Sequence, residues 1–167
     1  DPGKVDPCRE IRSESAEDTL LTDTRDRELL KEMMRNQSEE VAARLRKRHL
    51  VGSTATVKIK YDNFKVITRS RTFSCPLASS KGLYEAACAI LDSLELERPV
   101  RLIGVRLSGF GGVRREGSLL PLLTGGPVPE EREKRNVRLE RAMDDLRKRF
   151  GNDIIRRGAP AGQKDGR

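Results

Sequence analysis

The sequence predicts an α+β domain, with two helices on one face of a four-stranded antiparallel sheet and a flexible tail carrying a short helix. Three observations predict it. Residues 11–110 alternate strand-like and helix-like periods in the order strand-helix-strand-strand-helix-strand, an order that buries one sheet face and leaves the other open. Thr54 to Phe73 reads as a hairpin with one apolar and one basic face. Glycines and prolines then break any period from Gly111 to about Arg135.

Residues 1–10 are a lead-in in which Pro2, Gly3 and Pro7 oppose regular structure. A first strand is expected around Ile11 to Thr19. Asp23 or Thr24 can cap a helix that runs to about His49, with Leu30, Met33, Val41 and Leu45 on its buried stripe and Gln37 as a polar gap. Gly52 stands where a left-handed helix stop is wanted. In the second strand Ala55, Val57, Ile59 and Tyr61 alternate with Thr54, Thr56, Lys58 and Lys60. Asp62-Asn63 supplies a turn, and Val66 to Phe73 returns. Ser79 or Ser80 caps a second helix with a Leu83, Ala87, Ile90, Leu91, Leu94 stripe, and Pro99 closes the connection. Val100 to Phe110 is the last strand, with Ile103, Val105 and Leu107 on one face and Gly104, Arg106 and Ser108 on the other. Residues 111–136 read as linker, 137–157 as a helical tail ended by Gly151, and 158–167 as a frayed end.

With 36% charged and 35% hydrophobic residues and no Trp, the core is small and part of the chain should be flexible. A net charge of +8 points to an anionic partner, nucleic acid first. Cys8, Cys75 and Cys88 show neither a disulfide framework nor zinc spacing, which suits a reducing cytosol, and His49 reads as a solvated helix-end residue. No run reaches the ~20 apolar residues of a membrane span. A chain that starts at Asp1 reads as a piece of a longer protein.

The hairpin carries Lys58, Lys60, Lys65, Arg69 and Arg71 against Asp62 alone, as a phosphate-binding face would. Strict alternation sets Arg69 and Arg71 with Ile67 and Phe73, opposite Thr68 and Ser70. Either a bulge breaks the parity or the arginines lie near the rim.

Four segments carry a family resemblance: Arg12 to Leu20 (RSESAEDTL), the hairpin TVKIKYDNFKVITRSRTF, Val100 to Phe110 (VRLIGVRLSGF), and Leu139 to Ile155 (LERAMDDLRKRFGNDII). In this order they resemble the little finger domain of Y-family translesion DNA polymerases, of the bacterial DNA polymerase IV (DinB) type. Two positions depart from the pattern: Glu14 replaces an apolar residue and Arg12 a lysine. The resemblance implies an α+β little finger over residues 11–110 that grips the backbone of double-stranded primer–template DNA without sequence preference, during damage bypass. The implied contacts are Arg12, Ser13, Thr56, Lys58, Lys60, Thr68, Arg69, Ser70, Arg71, Thr72, Arg106 and Ser108. The family's clamp peptide aligns with Leu119, Leu120, Pro121, Leu122 and Leu123, which implies a sliding clamp as partner beside the rest of the polymerase. The family's S-x-D-E motif is absent, so this piece is expected to be non-catalytic, with no catalytic and no metal residues. Magnesium and deoxynucleoside triphosphates would belong to the parent polymerase, a cytoplasmic, nucleoid-associated bacterial enzyme.

Other patterns weigh less. Gly109-Phe110-Gly111-Gly112 lacks the GK[ST] ending of a phosphate loop, and Asp144-Asp145 has no third carboxylate at a fitting spacing. Two alternatives share the element order. One is an adaptor acting through its leucine segment, and the other is an RNA-binding domain, which would want stacking aromatics on its inner strands.

Overall fold

A computed structural model describes residues 11–110 and 129–151. Its elements run β1 (Ser13–Thr24), α1 (Arg27–Lys47), β2 (Gly52–Tyr61), β3 (Val66–Leu77), α2 (Ser80–Asp92), β4 (Val100–Phe110) and α3 (Pro129–Phe150). The four strands form one antiparallel sheet in the order β1-β4-β2-β3, as the sequence predicts. Residues paired directly across antiparallel strands share a face. Ala16, Val105, Ile103, Val57 and Ile59 therefore point together into the core, against Leu30, Met34, Val41 and Leu45 of α1 and Leu83, Ala87 and Leu91 of α2. Among the described residues no helix covers the opposite face.

Several boundaries move for identifiable reasons. β1 runs on to Thr24, which pairs with Val100 beyond a register shift after Thr19. Asp26 therefore caps α1, accepting from the N–H groups of Glu28 (2.9 Å) and Leu29 (3.4 Å), in place of Asp23 or Thr24. Asp23 instead holds Arg101 at 2.9 Å. Met34, not Met33, is the fully buried methionine of α1.

The helix stop is His49, at φ 53, with the Leu50 N–H reaching back to the Leu45 carbonyl at 3.0 Å. Gly52 opens β2 instead, where a Cβ would stand 2.7 Å from both Leu107 Cγ and the Ser108 carbonyl oxygen. The buried Gln37 is no idle gap. Its amide donates to the Ile103 carbonyl and to Asp18 Oδ2, both at 2.9 Å.

Glu14 has a physical account as well. It lies on the helix face, beside Leu107, where the family pattern has an apolar residue. Arg44 (3.2 Å) and Arg48 (2.6 Å) of α1 close on it, so ion pairs tie the start of β1 to the end of α1.

The largest revision concerns the tail. The predicted short helix is the longest among the described residues, 22 residues, and it begins at Pro129, so the charged stretch Glu130–Arg135 is its opening turns rather than linker. It docks by its polar side. Glu133 accepts from the N–H groups of Ala78 (2.7 Å) and Ser79 (2.6 Å) and from the Ser79 hydroxyl (2.7 Å). Glu140 accepts from the Ser80 N–H (3.0 Å) and hydroxyl (2.6 Å) and pairs with Arg46. Two carboxylates thus sit on the N–H groups at and just ahead of the start of α2, where the helix dipole favours negative charge. Gly151, at φ +94, ends α3 as predicted.

Candidate nucleic-acid interface

The open face is built in rows by the register. One row is Ser13, Ser108, Thr54, Thr72; the next is Ser15, Arg106, Thr56, Ser70; the third is Glu17, Gly104, Lys58, Thr68; the fourth is Thr19, Leu102, Lys60, Val66. Nine predicted site residues share this face: Ser13, Thr56, Lys58, Lys60, Thr68, Ser70, Thr72, Arg106 and Ser108. Arg12 stands exposed just ahead of β1. Adjacent strands lie about 4.8 Å apart, so the rows present hydroxyls and cations at close spacing.

Arg69 and Arg71 are the exception. Pairing is unbroken from Thr54↔Thr72 to Lys60↔Val66, so no bulge rescues the parity, and the two arginines pair with Val57 and Ala55 on the helix-side face. Both are exposed because β3 is the edge strand and the helices do not cover them there. Arg71 lies over the Phe73 ring at 5.5 Å, and Arg69 donates to the Thr68 carbonyl at 3.2 Å. They form a rim beside the open face.

In the resting face the hydroxyls satisfy one another: Thr56 with Ser70 at 2.8 Å and Thr54 with Thr72 at 3.0 Å. Lys58 is paired with Glu17 at 2.8 Å, across the bare backbone of Gly104. A Cβ on Gly104 would meet Glu17 Cβ at 2.7 Å. Gly104→Val is therefore expected to lose about 1–3 kcal/mol of stability by urea unfolding, through overpacking between β1 and β4.

Sequence reasoning missed Glu17 as the partner of Lys58. The signal available was its even spacing from Ser13 and Ser15. It also missed Phe64, whose φ of 66 closes the hairpin turn. Its exposed ring lies under Lys60 (4.8 Å) and Arg101 (4.9 Å). At the same turn Arg98 grips Asp62 at 2.7 and 3.0 Å and holds its carboxyl below the ordinary carboxylate range.

The open-face positions of β2 from Thr54 to Lys60 and of β4 from Leu102 to Ser108 hold no aromatic side chain, and Phe110, at the end of β4, packs against the core. Among the described residues no three His, Cys, Asp or Glu groups come together as a metal site, so these residues do not fit a catalytic ion. Asp144 is engaged by Arg46 at 2.9 Å. Cys75 and Cys88 are half-buried, and burial pushes both thiols up. No described helix is long and apolar enough to cross a membrane. Leu119, Leu120, Pro121, Leu122 and Leu123, like Cys8, lie outside the described residues.

Residues 11–120 match the model of the impB/mucB/samB family C-terminal domain. The chain belongs to the impB/mucB/samB family.

A curated relative, the DNA polymerase IV of Clostridium kluyveri, is 33% identical over 156 residues, covering 90% of this chain and 38% of that protein's length. The chain thus spans well under half the length of that relative. Among solved structures, the little finger domain of PolIV, in its complex with the beta-clamp processivity factor, superposes with a TM-score of 0.51 at 22% identity, covering 65% of this chain and 97% of that one. A Y-family DNA polymerase chimera, Dbh-Dpo4(243-245)-Dbh, gives 0.55 at 22%, over 61% and 29%. The sheet domain is the little finger of a Y-family, DNA polymerase IV-type chain, and the resemblance drawn from four short segments holds.

Proposed function

We propose that this chain is the duplex-DNA grip of a translesion DNA polymerase. The open sheet face and the Arg69/Arg71 rim hold the primer–template backbone without reading sequence. The observation that carries it is the row pattern: hydroxyls and cations fill the uncovered face while the apolar set is buried behind it. Backbone contacts by Lys, Arg, Ser and Thr fix a duplex in place but carry no base information, which suits a polymerase working over damaged template. Lys58, Lys60, Arg69, Arg71 and Arg106 neutralise phosphates. Thr68, Ser70, Thr72, Ser13 and Ser108 position them, and Arg12 adds charge at the entry to β1.

The parent protein is then a DNA-directed DNA polymerase whose magnesium-dependent chemistry resides outside these residues. Leu119 to Leu123 engage a sliding clamp. Support for that partner is the likeness to a little finger solved with a clamp. Tyr61 and Phe110 of the inner strands pack into or against the core rather than standing on the open face, which speaks against the RNA-binding alternative.

Fluorescence anisotropy with a labelled primer–template duplex across a salt series tests the grip. Log affinity should fall linearly with log salt, by about 0.9 per phosphate contacted. No duplex binding at low salt by a folded chain would overturn it. A sharper expectation concerns Glu17, the one acid within the cationic part of the face. An exposed pair of this kind is worth about 0–1 kcal/mol, so Glu17→Gln should leave stability nearly unchanged. It should raise duplex affinity several-fold by freeing Lys58, and an unchanged affinity would mean that Lys58 does not face the backbone.

A further inference from the structure

Docking changes what α3 shows to solvent. The helix carries six acids and eight bases between Glu130 and Phe150. Glu133, Glu140 and Asp144 turn inward onto the start of α2 and onto Arg46, and Glu130 is taken by Lys134. The outer surface of the docked helix is left strongly basic.

Beside it ends α1. Between the two helices runs a cleft of about 600 Å³, with Arg46 and Asp144 paired in it and Lys47, His49, Arg141 and Lys148 lining it. Lys47, Arg141 and Lys148 are exposed and are found in none of the ion pairs among the described residues. Ala43, Asp145 and Arg147 complete the lining, and Arg147 is itself engaged. Cations at a helix end answer the helix dipole. That accounts for Arg44, Arg46 and Lys47 in the last turn of α1, but not for Arg141, which lies mid-helix in α3.

We propose that this cleft is a second nucleic-acid site, which takes the sugar–phosphate backbone of a single DNA strand. Charge selects a polyanion. Shape selects one strand: a concave slot of this volume is of the size that holds a small ligand or one extended backbone, whereas a duplex needs a broad face such as the sheet offers. The cleft is assembled by α3 docking, and it lies on the helix layer, apart from the open sheet face. A chain could thus hold duplex on the sheet and an unpaired strand between α1 and α3. The proposal goes beyond the sheet-face grip and shares with it only the premise that this chain handles DNA.

The test compares anisotropy of one labelled duplex, blunt or carrying a single-stranded extension, and of the extension alone. The full chain and Arg141→Glu/Lys148→Glu are measured, with Lys81→Glu/Arg135→Glu as a charge-matched control away from the cleft. The replaced side chains are exposed, and circular dichroism checks that each variant folds. The extension should tighten binding about tenfold, and the cleft variant should lose that increment while keeping its blunt-duplex affinity. Its salt slope on the extension should fall by about 1.4, at roughly 0.7 per single-strand phosphate for two contacts. An extension that adds nothing, an increment that survives in the cleft variant, or an equal loss in the control would overturn the proposal. Capture of the extension without any blunt-duplex binding would sink the sheet-face grip and leave the cleft standing.

Discussion

Replacing both Glu133 and Glu140 by alanine is expected to release α3 from the domain while the sheet core stays folded. The two carboxylates satisfy the N–H groups of Ala78, Ser79 and Ser80 and the hydroxyls of both serines, all in buried or half-buried surroundings. Each hydrogen bond to a charged group is worth about 1.5–3 kcal/mol. Removing Glu140 also strips a partner from Arg46, whose side chain is only 10% exposed, and breaking a buried pair in this way costs about 3–5 kcal/mol. Little apolar contact opposes release, since Leu139, Leu146 and Phe150 face solvent. Undocked, the helix loses the tertiary contacts that supply most of a protein helix's stability. Amide hydrogen exchange should therefore show α3 losing its protection, while Ile59, Leu83 and Ile103 keep theirs.

Cys75 supplies a second readout. Its thiol lines the groove closed by Arg132 and Glu133. Burial pushes its pKa up, and the charges of Glu133 and Glu130 add to that. Release removes the first cause and the nearest charge, so the pKa falls toward the ordinary thiol range. At a fixed pH near 8 the thiolate fraction rises, and Cys75 should alkylate faster. Cys88, whose thiol is raised by its own burial near Tyr84, should not change. Protected α3 amides in the double variant would show that apolar packing, not the carboxylates, holds the helix.

The second large effect is expected at the rim. Arg69→Ala/Arg71→Ala should lower the slope of log affinity against log salt by about 1.8 for a primer–template duplex, at ~0.9 for each phosphate contact. With about 1.5–3 kcal/mol per charge-assisted bond, duplex affinity should fall by about 100-fold or more at low salt. Among the described residues these two arginines are found in no ion pair with a carboxylate. Arg69 has a backbone carbonyl and Arg71 an aromatic ring, so both are available to phosphates. Lys58→Ala should cost far less, because Glu17 already neutralises that lysine. Equal losses from the two variants would put the duplex squarely over β2 and β4. A larger loss at the rim would run it along β3, with the arginines on one side of the strand and Thr68, Ser70 and Thr72 on the other.

Much of this arrangement was legible in the residues. The period of two fixed β2 and β4, with β4 from Val100 to Phe110 as expected, because alternation survives wherever one face is buried. Ser79 announced α2, since a serine ahead of an apolar helical stripe supplies the missing acceptor. Nine of the twelve candidate DNA contacts fell on one face for the same reason, once the strands were paired. Alternation also placed Arg69 and Arg71 on the apolar side. What it could not say was that β3 is an edge strand and that the helices leave those arginines uncovered there.

Chain-distant partners decided the rest. Glu14 looked out of place until Arg44 and Arg48 closed on it from α1. Glu17 became the neutraliser of Lys58 only through a strand pairing across Gly104. Glu133 and Glu140 lie on a helix whose apolar stripe points elsewhere, and they bind backbone N–H groups more than fifty positions away. Periodicity reports which side of an element is apolar, so by itself the sequence determined the elements, their buried faces and the basic character of the open sheet. A helix docked by its charges leaves no such period. Where α3 lies, and the basic cleft it makes with α1, were therefore decided by tertiary structure alone.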